Sequence, residues 1–157
     1  MTKSNIFDFL FIFFIFLFDR LSKVLILNIT EKSEKSFFEI TSFLNFTLIW
    51  NDGIAFGLFS FNDKLFYNLL TILIMLIVII IFFVMIRSKG YEKIGFMMVL
   101  GGSLGNLFDR LIYSSVPDFI DLHYNDFNWF IFNVADIFIT LGILLLIYLE
   151  LFKKENA

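Results

Sequence analysis

The chain of 157 residues contains no cysteine, which excludes disulfide bonds, a thiolate nucleophile and cysteine-ligated metal sites. Histidine occurs once, at His123. One histidine cannot build a multi-histidine metal centre, and a serine–histidine pair would leave no second histidine for another role. Only 17% of residues are charged and the formal net charge is −3, so no basic surplus exists for binding nucleic acid. Any chemistry must therefore come from carboxylates, amides, hydroxyls and a few cations.

Apolar residues, in contrast, are in excess. They make up 59% of the chain, whereas a soluble domain contains about 45–50%. A chain of this length is expected to form a single domain, here residues 1–157. The composition predicts a small integral membrane protein.

Four hydrophobic segments are predicted to cross the membrane as helices, over residues 6–29, 65–86, 94–113 and 129–152. The segment 65–86 carries no charge, and at about 1.5 Å per residue it reaches about 33 Å, enough to cross the hydrocarbon core. The first segment lacks the small-residue cleavage site of a secretory signal peptide, so a retained helix is expected. The expected fold class is a mainly α membrane protein with four transmembrane helices.

The basic residues of the connections predict how these helices are oriented. Six lie near the N-terminus, the second connection and the C-terminus: Lys3, Arg87, Lys89, Lys93, Lys153 and Lys154. Three lie on the opposite side: Lys32, Lys35 and Lys64. By the positive-inside rule, both termini are expected in the cytoplasm, and the first and third connections outside.

The first outer connection has a β pattern over about residues 36–60. From Leu44 to Asn51, apolar and polar side chains largely alternate, which is typical of a strand. Asn51-Asp52-Gly53 predicts a turn, and residues 54–59 are expected to form the return strand. The pattern predicts a small β-sheet at the outer membrane surface.

Polar side chains within the predicted spans gather at one depth, near the outer leaflet. A charge inside a bilayer costs about 2.5–3.5 kcal/mol on insertion scales, so each needs a partner or a function. Asn106, Asp109 and Arg110 share one face of the third predicted helix. Asn133 and Asp136 share one face of the fourth, which predicts a polar site between two neighbouring helices.

Asp118 and Asp136 are the candidate catalytic pair. A short connection is expected between the third and fourth helices, which would bring these two carboxyl groups to similar depth. Two carboxylates in a partly dry site share one proton. One can then act as a base towards water while the other donates to a carbonyl oxygen, as in aspartic proteases.

Structural roles remain open for the other charged groups. Asp109 and Arg110 are expected to form an ion pair with each other, and so are Asp19 and Lys23, which lie four residues apart in the favourable order.

Three further groups are expected to have no catalytic role. His123 is predicted to be a satisfied interfacial histidine rather than a ligand, since no second ligand is visible. Asp121 and Asp126 are predicted to be solvated loop acids.

Two other classes of function also accommodate intramembrane carboxylates: a small proton-coupled carrier and a non-catalytic membrane scaffold. A carrier favours charges spread through the membrane depth and an inverted repeat, whereas here the charges lie at one level and no repeat is evident.

Five polar motifs follow one another along the chain. They are Asp19-Arg20-Leu21-Ser22-Lys23, Asn51-Asp52-Gly53-Ile54-Ala55-Phe56-Gly57, Gly101-Gly102-Ser103-Leu104-Gly105-Asn106-Leu107-Phe108-Asp109-Arg110, Val116-Pro117-Asp118-Phe119-Ile120-Asp121-Leu122-His123 and Phe132-Asn133-Val134-Ala135-Asp136. Their order and the four-helix plan resemble the bacterial lipoprotein signal peptidase family, signal peptidase II, over nearly the whole chain.

The resemblance implies a membrane aspartic endopeptidase that uses no cofactor and no metal. Its substrates would be prolipoproteins carrying diacylglycerol on the lipobox cysteine, cleaved just before that cysteine. The motif match implies that Asp118 and Asp136 are catalytic. Positions that line or support the site would be Asn51, Gly53, Asn106, Arg110, Asn133 and Ala135. Positions that stabilise the fold or the site would be Asp19, Lys23 and Asp109.

The resemblance also implies a location and partners. The protein would be a multi-pass protein of the bacterial cytoplasmic (inner) membrane, in contact with membrane lipid and with its active site towards the outer leaflet. The outer sheet would cradle the substrate, a monomer would suffice for activity, and globomycin-type cyclic peptides would inhibit it. Two positions depart from the family pattern: Arg20, whose role stays open, and Pro117, which is expected to stiffen the approach of Asp118.

Overall fold

The computed structural model describes residues 3–53, 64–124 and 127–153. The described chain forms four α-helices: α1 (Lys3–Ser33), α2 (Lys64–Arg87), α3 (Gly90–Tyr113) and α4 (Val134–Lys153). Four strands form one antiparallel sheet: β1 (Phe37–Thr41), β2 (Leu44–Asn51), β3 (Val116–Tyr124) and β4 (Phe127–Phe132). The prediction of a mainly helical protein with a small sheet is confirmed.

Helix α3 is the central element, because α1, α2 and α4 all pack against it. Its glycines allow this close approach. A Cβ atom at Gly101 would lie 2.8 Å from the Cβ of Ile15 in α1, and one at Gly105 would overlap the carboxylate of Asp19. The Gly101-x-x-x-Gly105 spacing therefore brings α1 against α3 at the level of the polar residues.

The contact between α3 and α4 is equally close. A Cβ at Gly102 would lie 2.5 Å from the carbonyl oxygen of Ala135, and one at Gly142 would lie 2.7 Å from the carbonyl oxygen of Gly95. The Gly102 contact holds the first turn of α4 against α3 at the level of the candidate site, and the Gly142 contact holds the middle of α4 further along.

Two of the described helices are long and apolar enough to cross a membrane, over Leu65–Arg87 and Val134–Phe152. Helices α1 and α3 carry charged residues that pair between the two helices, including an ion pair of Lys93 with Asp8. Most large apolar side chains on the outer faces of the helices are exposed. An exposed apolar surface of this extent suits a lipid environment rather than water.

Strand β2 lies between β1 and β3 in the sheet order β1-β2-β3-β4. Its alternating sequence predicted this strand correctly. Its partner on the site side is β3, with Ile49 opposite Asp118 and Trp50 opposite Pro117. The return strand predicted over residues 54–59 lies outside the described residues.

Three expectations about the segment after α3 are wrong. Residues 129–132, predicted as the start of the fourth helix, belong to β4, and α4 begins only at Val134. The connection predicted to be short is a β-hairpin of β3 and β4. Asp121 is not a loop residue, since it lies in β3 and accepts a hydrogen bond from Thr47 Oγ1 at 3.0 Å. Asp126 lies outside the described residues.

Candidate active site

The N-terminus of α4 is closed by a reciprocal cap. The Oδ1 atom of Asn133 accepts a hydrogen bond from the backbone N–H of Asp136 at 3.1 Å. In return, Oδ2 of Asp136 accepts a hydrogen bond from the backbone N–H of Asn133 at 3.1 Å. The two residues are three positions apart, the spacing of a capping box, which satisfies two backbone donors at the helix start. The cap fixes the position of the Asp136 carboxylate.

The same asparagine holds Asp118. Its Nδ2 atom donates to Oδ1 of Asp118 at 2.6 Å, and Nδ2 of Asn51 donates to the other oxygen, Oδ2, at 2.9 Å. Asp118 is only 4% exposed. One side-chain amide at position 133 therefore contacts both Asp118 and the residue that contains the second candidate carboxylate, Asp136.

The turn predicted at Asn51-Asp52-Gly53 orients the Asn51 amide. Oδ1 of Asn51 accepts the backbone N–H of Gly53 at 2.9 Å, which leaves its NH2 group directed at Asp118. The carbonyl oxygen of Gly53 accepts from Nη2 of Arg110 at 2.7 Å. Arg110 thus ties the turn to α3. The expected ion pair of Arg110 with Asp109 is wrong, because adjacent helical residues point in different directions.

Asn106 contacts Asp136 from α3. Its Nδ2 donates to Oδ1 of Asp136 at 2.9 Å, and its Oδ1 accepts from Nζ of Lys23 at 2.8 Å. An amide oxygen cannot donate, so the lysine fixes which end of the amide faces the carboxylate. Lys23, in α1, is thereby connected to Asp136 through one intervening side chain.

Behind Asn106 lies a buried charge cluster of two acids and two bases: Asp19, Arg20, Lys23 and Asp109. Nζ of Lys23 lies 2.9 Å from Oδ2 of Asp19 and 2.7 Å from Oδ2 of Asp109, so the expected pairing of Asp19 with Lys23 is confirmed. Arg20 pairs with the other oxygen of Asp109. These formal charges sum to zero, which is how four charged groups can be buried together.

The buried charge cluster is also tied to α4. Oδ1 of Asp19 accepts a hydrogen bond from the backbone N–H of Ala135 at 3.0 Å. That N–H is one of the donors at the helix start that have no partner within the helix. The structure thereby gives Asp19 and Ala135 a shared role: they fix the helix that carries Asp136.

Burial, followed by the charge of Asp136, raises the pKa of Asp118 to about 6. The hydrogen bonds that Asp118 accepts from Asn51 and Asn133 lower its pKa and so offset part of this rise.

The pairing of β2 with β3 shifts register between Phe46 and Ile49, and Ile49 is the residue opposite Asp118. Such irregularities redirect side chains next to active sites.

Two residues differ from what sequence reasoning suggested. Tyr67 of α2 was not singled out, yet it is buried and its hydroxyl donates to the Arg110 carbonyl oxygen at 3.3 Å. A tyrosine in the first turn of an uncharged span was the available signal. His123 is not satisfied: among the described residues its Nδ1 atom is buried without a hydrogen-bond partner.

Comparisons with known proteins identify the family of this chain. The family model described as Signal peptidase (SPase) II matches residues 11–152. The lipoprotein signal peptidase of Pelagibacter ubique (strain HTCC1062) is 48% identical over 163 residues, covering 99% of this chain and 98% of that protein. The lipoprotein signal peptidase of Francisella tularensis subsp. novicida (strain U112) is 37% identical over 124 residues, 76% of each chain.

Two solved structures described as bacterial membrane enzymes share the fold. One covers 96% of this chain and 90% of its own with a TM-score of 0.76 and 28% identity. The other covers 90% of each chain with a TM-score of 0.71 and 29% identity. The match over nearly the full length, in sequence and in fold, leads to one conclusion: this chain belongs to the signal peptidase II family of bacterial membrane proteases.

Proposed function

We propose that Asp118 and Asp136 are the catalytic dyad of this lipoprotein signal peptidase. The observation that carries the proposal is the position of Asn133, which contacts both residues with one side-chain amide. Asn51 also donates to Oδ2 of Asp118, and Asn106 donates to Oδ1 of Asp136. Three hydrogen bonds from side-chain amides to the carboxylates, together with the one from the Asn133 backbone N–H to Asp136, give a preorganised pair, as catalysis by two carboxyl groups requires.

The proposed reaction is a general acid–base hydrolysis. A water molecule lies between the carboxyl groups, and one of them accepts its proton while the other donates to the scissile carbonyl oxygen. A tetrahedral intermediate forms and collapses, and the peptide bond breaks. The two groups need one shared proton, and the raised pKa of Asp118 supports a state in which the pair holds it.

The proposed substrate is a diacylglyceryl-modified prolipoprotein, cleaved just before the lipidated cysteine. Its signal helix and its acyl chains both partition into the bilayer. A helix hides its backbone amides, so the scissile bond must lie in a locally extended stretch near the membrane surface. A site where the start of α4 meets the sheet meets that requirement, since Asp118 lies in β3 and Asp136 in the first turn of α4.

We also propose that all four helices span the inner membrane, with both termini in the cytoplasm and the dyad towards the outer leaflet. Supporting this, six charged residues of α1 and α3 form ion pairs with one another: Asp8, Asp19, Arg20, Lys23, Lys93 and Asp109. The absence of cysteine allows a direct test. A membrane-impermeant maleimide applied to intact cells should label Asp52→Cys but not Tyr91→Cys, and the reverse pattern would contradict this orientation.

Arg110 is proposed to contact the substrate as well as the turn at Gly53. Its Nη atoms are used within the protein, but Nε is buried without a partner among the described residues. This donor could bind a substrate carbonyl or the lipid ester. If Arg110→Lys lowers thermal stability but leaves KM and kcat intact, the substrate role is wrong.

A monomer is proposed to suffice, because every contact of the proposed dyad described above lies within one chain. Globomycin-type cyclic peptides are proposed to compete with the substrate. The test is a steady-state assay of detergent-solubilised protein whose monomeric mass has been verified. Activity confined to larger oligomers would contradict the monomer proposal. A purely noncompetitive effect of the cyclic peptide would contradict competition with the substrate.

The substrate assignment has a simple test. Purified protein is incubated with a diacylglyceryl-modified prolipoprotein and with its unlipidated form, and the mass of the products is measured. Cleavage of the lipidated form alone, before the modified cysteine, is the expected result. Equal cleavage of both forms would show that the lipid is not recognised.

A further inference from the structure

An apolar groove runs along the side of the bundle where α1 and α2 both pack on α3 without an extensive interface between them. Its volume is about 460 Å³ and every residue that lines it is phenylalanine, leucine or isoleucine. The lining includes Phe9, Phe13 and Phe16 of α1, Phe82 of α2 and Leu104 of α3. Phe9 and Phe13 are about half exposed, so the groove opens outwards from the bundle.

This groove is separate from the candidate dyad. Along α3 the groove is lined by Leu100, Leu104, Leu107 and Leu111. Asn106 faces the dyad, and it is rotated by about 160° from Leu104 and about 100° from Leu107 around the helix. A molecule in the groove therefore lies against a different face of α3 from the substrate peptide.

The dimensions of the groove indicate its occupant. From Leu100 to Leu111 it extends about 17 Å at the rise of an α-helix, close to the half-thickness of about 15 Å of a hydrocarbon core. A helix about 10 Å wide would occupy roughly 1,300 Å³ over that length, so it could lie across the open side of the groove but could not fit inside it. A single acyl chain is narrow and flexible enough to follow the groove.

An incompletely paired cation lies next to the groove. Phe108 lines the groove, and the Arg20 guanidinium carbon lies 4.9 Å from the centre of the Phe108 ring. Nε and Nη2 of Arg20 are buried and have no hydrogen-bond partner among the described residues. Buried donors without a partner are rare in folded proteins, so these two donors call for an acceptor. A phosphate or ester oxygen would complete the hydrogen bonds of this side chain.

We propose that a bilayer phospholipid binds here as a structural ligand, with one acyl chain in the groove and its oxygen-rich head at Arg20. The lipid joins α1 to α2 on the side of α3 that faces away from the dyad. This inference does not depend on the catalytic roles proposed above, because the groove shares no residue with them.

The test is lipid retention by the full-length protein in mild detergent, measured by native mass spectrometry. Wild type is expected to retain one phosphatidylglycerol. Leu104→Trp, which fills the groove, is expected to retain at least fivefold less, whereas Leu144→Trp on an exposed face of α4 retains as much as wild type. The proposal would be overturned if wild type retains no lipid or if the two variants retain equal amounts. It would also be overturned if wild type is a dimer that Leu104→Trp abolishes, because the groove would then hold a second copy of the chain.

A second measurement covers the case in which Leu104→Trp does not fold. Phe13→Trp places a fluorescent ring in the groove with little change in shape, and phosphatidylglycerol with brominated chains is titrated in. Quenching is expected at lower lipid concentration than for Leu144→Trp, and identical titrations would contradict the groove. A preference for phosphatidylglycerol over phosphatidylcholine should disappear in Arg20→Gln, and an unchanged preference would remove Arg20 from the site.

Discussion

Replacement of Lys23 by methionine tests how the buried charge cluster supports the site. The lysine side chain is fully buried, and Nζ donates to Asp19, Asn106 and Asp109 at 2.9, 2.8 and 2.7 Å. Methionine fills similar space but donates nothing. Asp109 then keeps only Arg20 and Asp19 is left without a cation, and breaking a buried pair in this way costs about 3–5 kcal/mol.

The expected result is a loss of thermal stability and of activity together. For a chain of this size, 1 kcal/mol corresponds to about 2–4 °C, so Lys23→Met should lower the Tm by about 6–20 °C. The amide of Asn106 also loses the contact that fixes its orientation towards Asp136, so kcat should fall in the fraction that remains folded. Thermal unfolding in detergent and a turnover assay at low temperature measure the two effects.

Two control variants make the result specific. The double variant Lys23→Met/Asp19→Asn removes the carboxylate that has lost its cation and keeps the Arg20–Asp109 pair, so it should be more stable than Lys23→Met alone. Lys93→Met removes a more exposed ion pair, with Asp8, whose side chains are 20% and 15% exposed, and should cost less. A Tm for Lys23→Met within about 2 °C of wild type, or a double variant less stable than the single one, would refute the reasoning.

Three other variants test separate parts of the structure. Asp118 has a folded pKa of about 6 against 3.8 when unfolded, so the stability it provides is full below 3.8 and is lost as pH rises through 6. Denaturant titrations should therefore show that the unfolding free energy of wild type falls relative to that of Asp118→Asn as pH rises from 3 to 7, by up to about 3 kcal/mol. A difference that does not change with pH would contradict a raised pKa for Asp118. Asn133→Ala should destabilise the protein by about 1 kcal/mol, because α4 loses its N-terminal cap. It should also lower kcat at least tenfold, because hydrogen bonds to charged groups contribute about 1.5–3 kcal/mol. An unchanged kcat would remove Asn133 from the site. Gly105→Ala should cost about 1–3 kcal/mol, because its Cβ would overlap the Asp19 carboxylate, and an unchanged Tm would show that α1 can move away.

The contacts that could be predicted from sequence are those that depend on spacing within one helix. Asp19 and Lys23 are four residues apart and form their pair, whereas Asp109 and Arg110 are adjacent and diverge. The capping box at Asn133 was also visible in principle, as a capping residue followed three positions later by an acid before an apolar run. The sequence analysis places Asn133 and Asp136 on one helix face but does not predict that they cap the helix.

What could not be predicted depends on pairing between distant segments. Residues 129–132 form a short apolar run, and such a run has no periodicity that separates a strand from a helix. Its conformation is decided by pairing with β3, and β3 in turn pairs with β2, far earlier in the chain. For the same reason, the contact of Asn51 with Asp118 and that of Asp19 with Ala135 appear only once the chain is folded.

The central claim is that Asp118 and Asp136 carry out the hydrolysis, and single-turnover cleavage of a diacylglyceryl-modified prolipoprotein tests it most directly. Wild type, Asp118→Asn and Asp136→Asn are compared at equal folded concentration, verified by thermal unfolding, and the mass shift of the substrate is followed over time. The account predicts cleavage before the lipidated cysteine by wild type and none by either folded variant. A fully active Asp136→Asn or Asp118→Asn protein would contradict it.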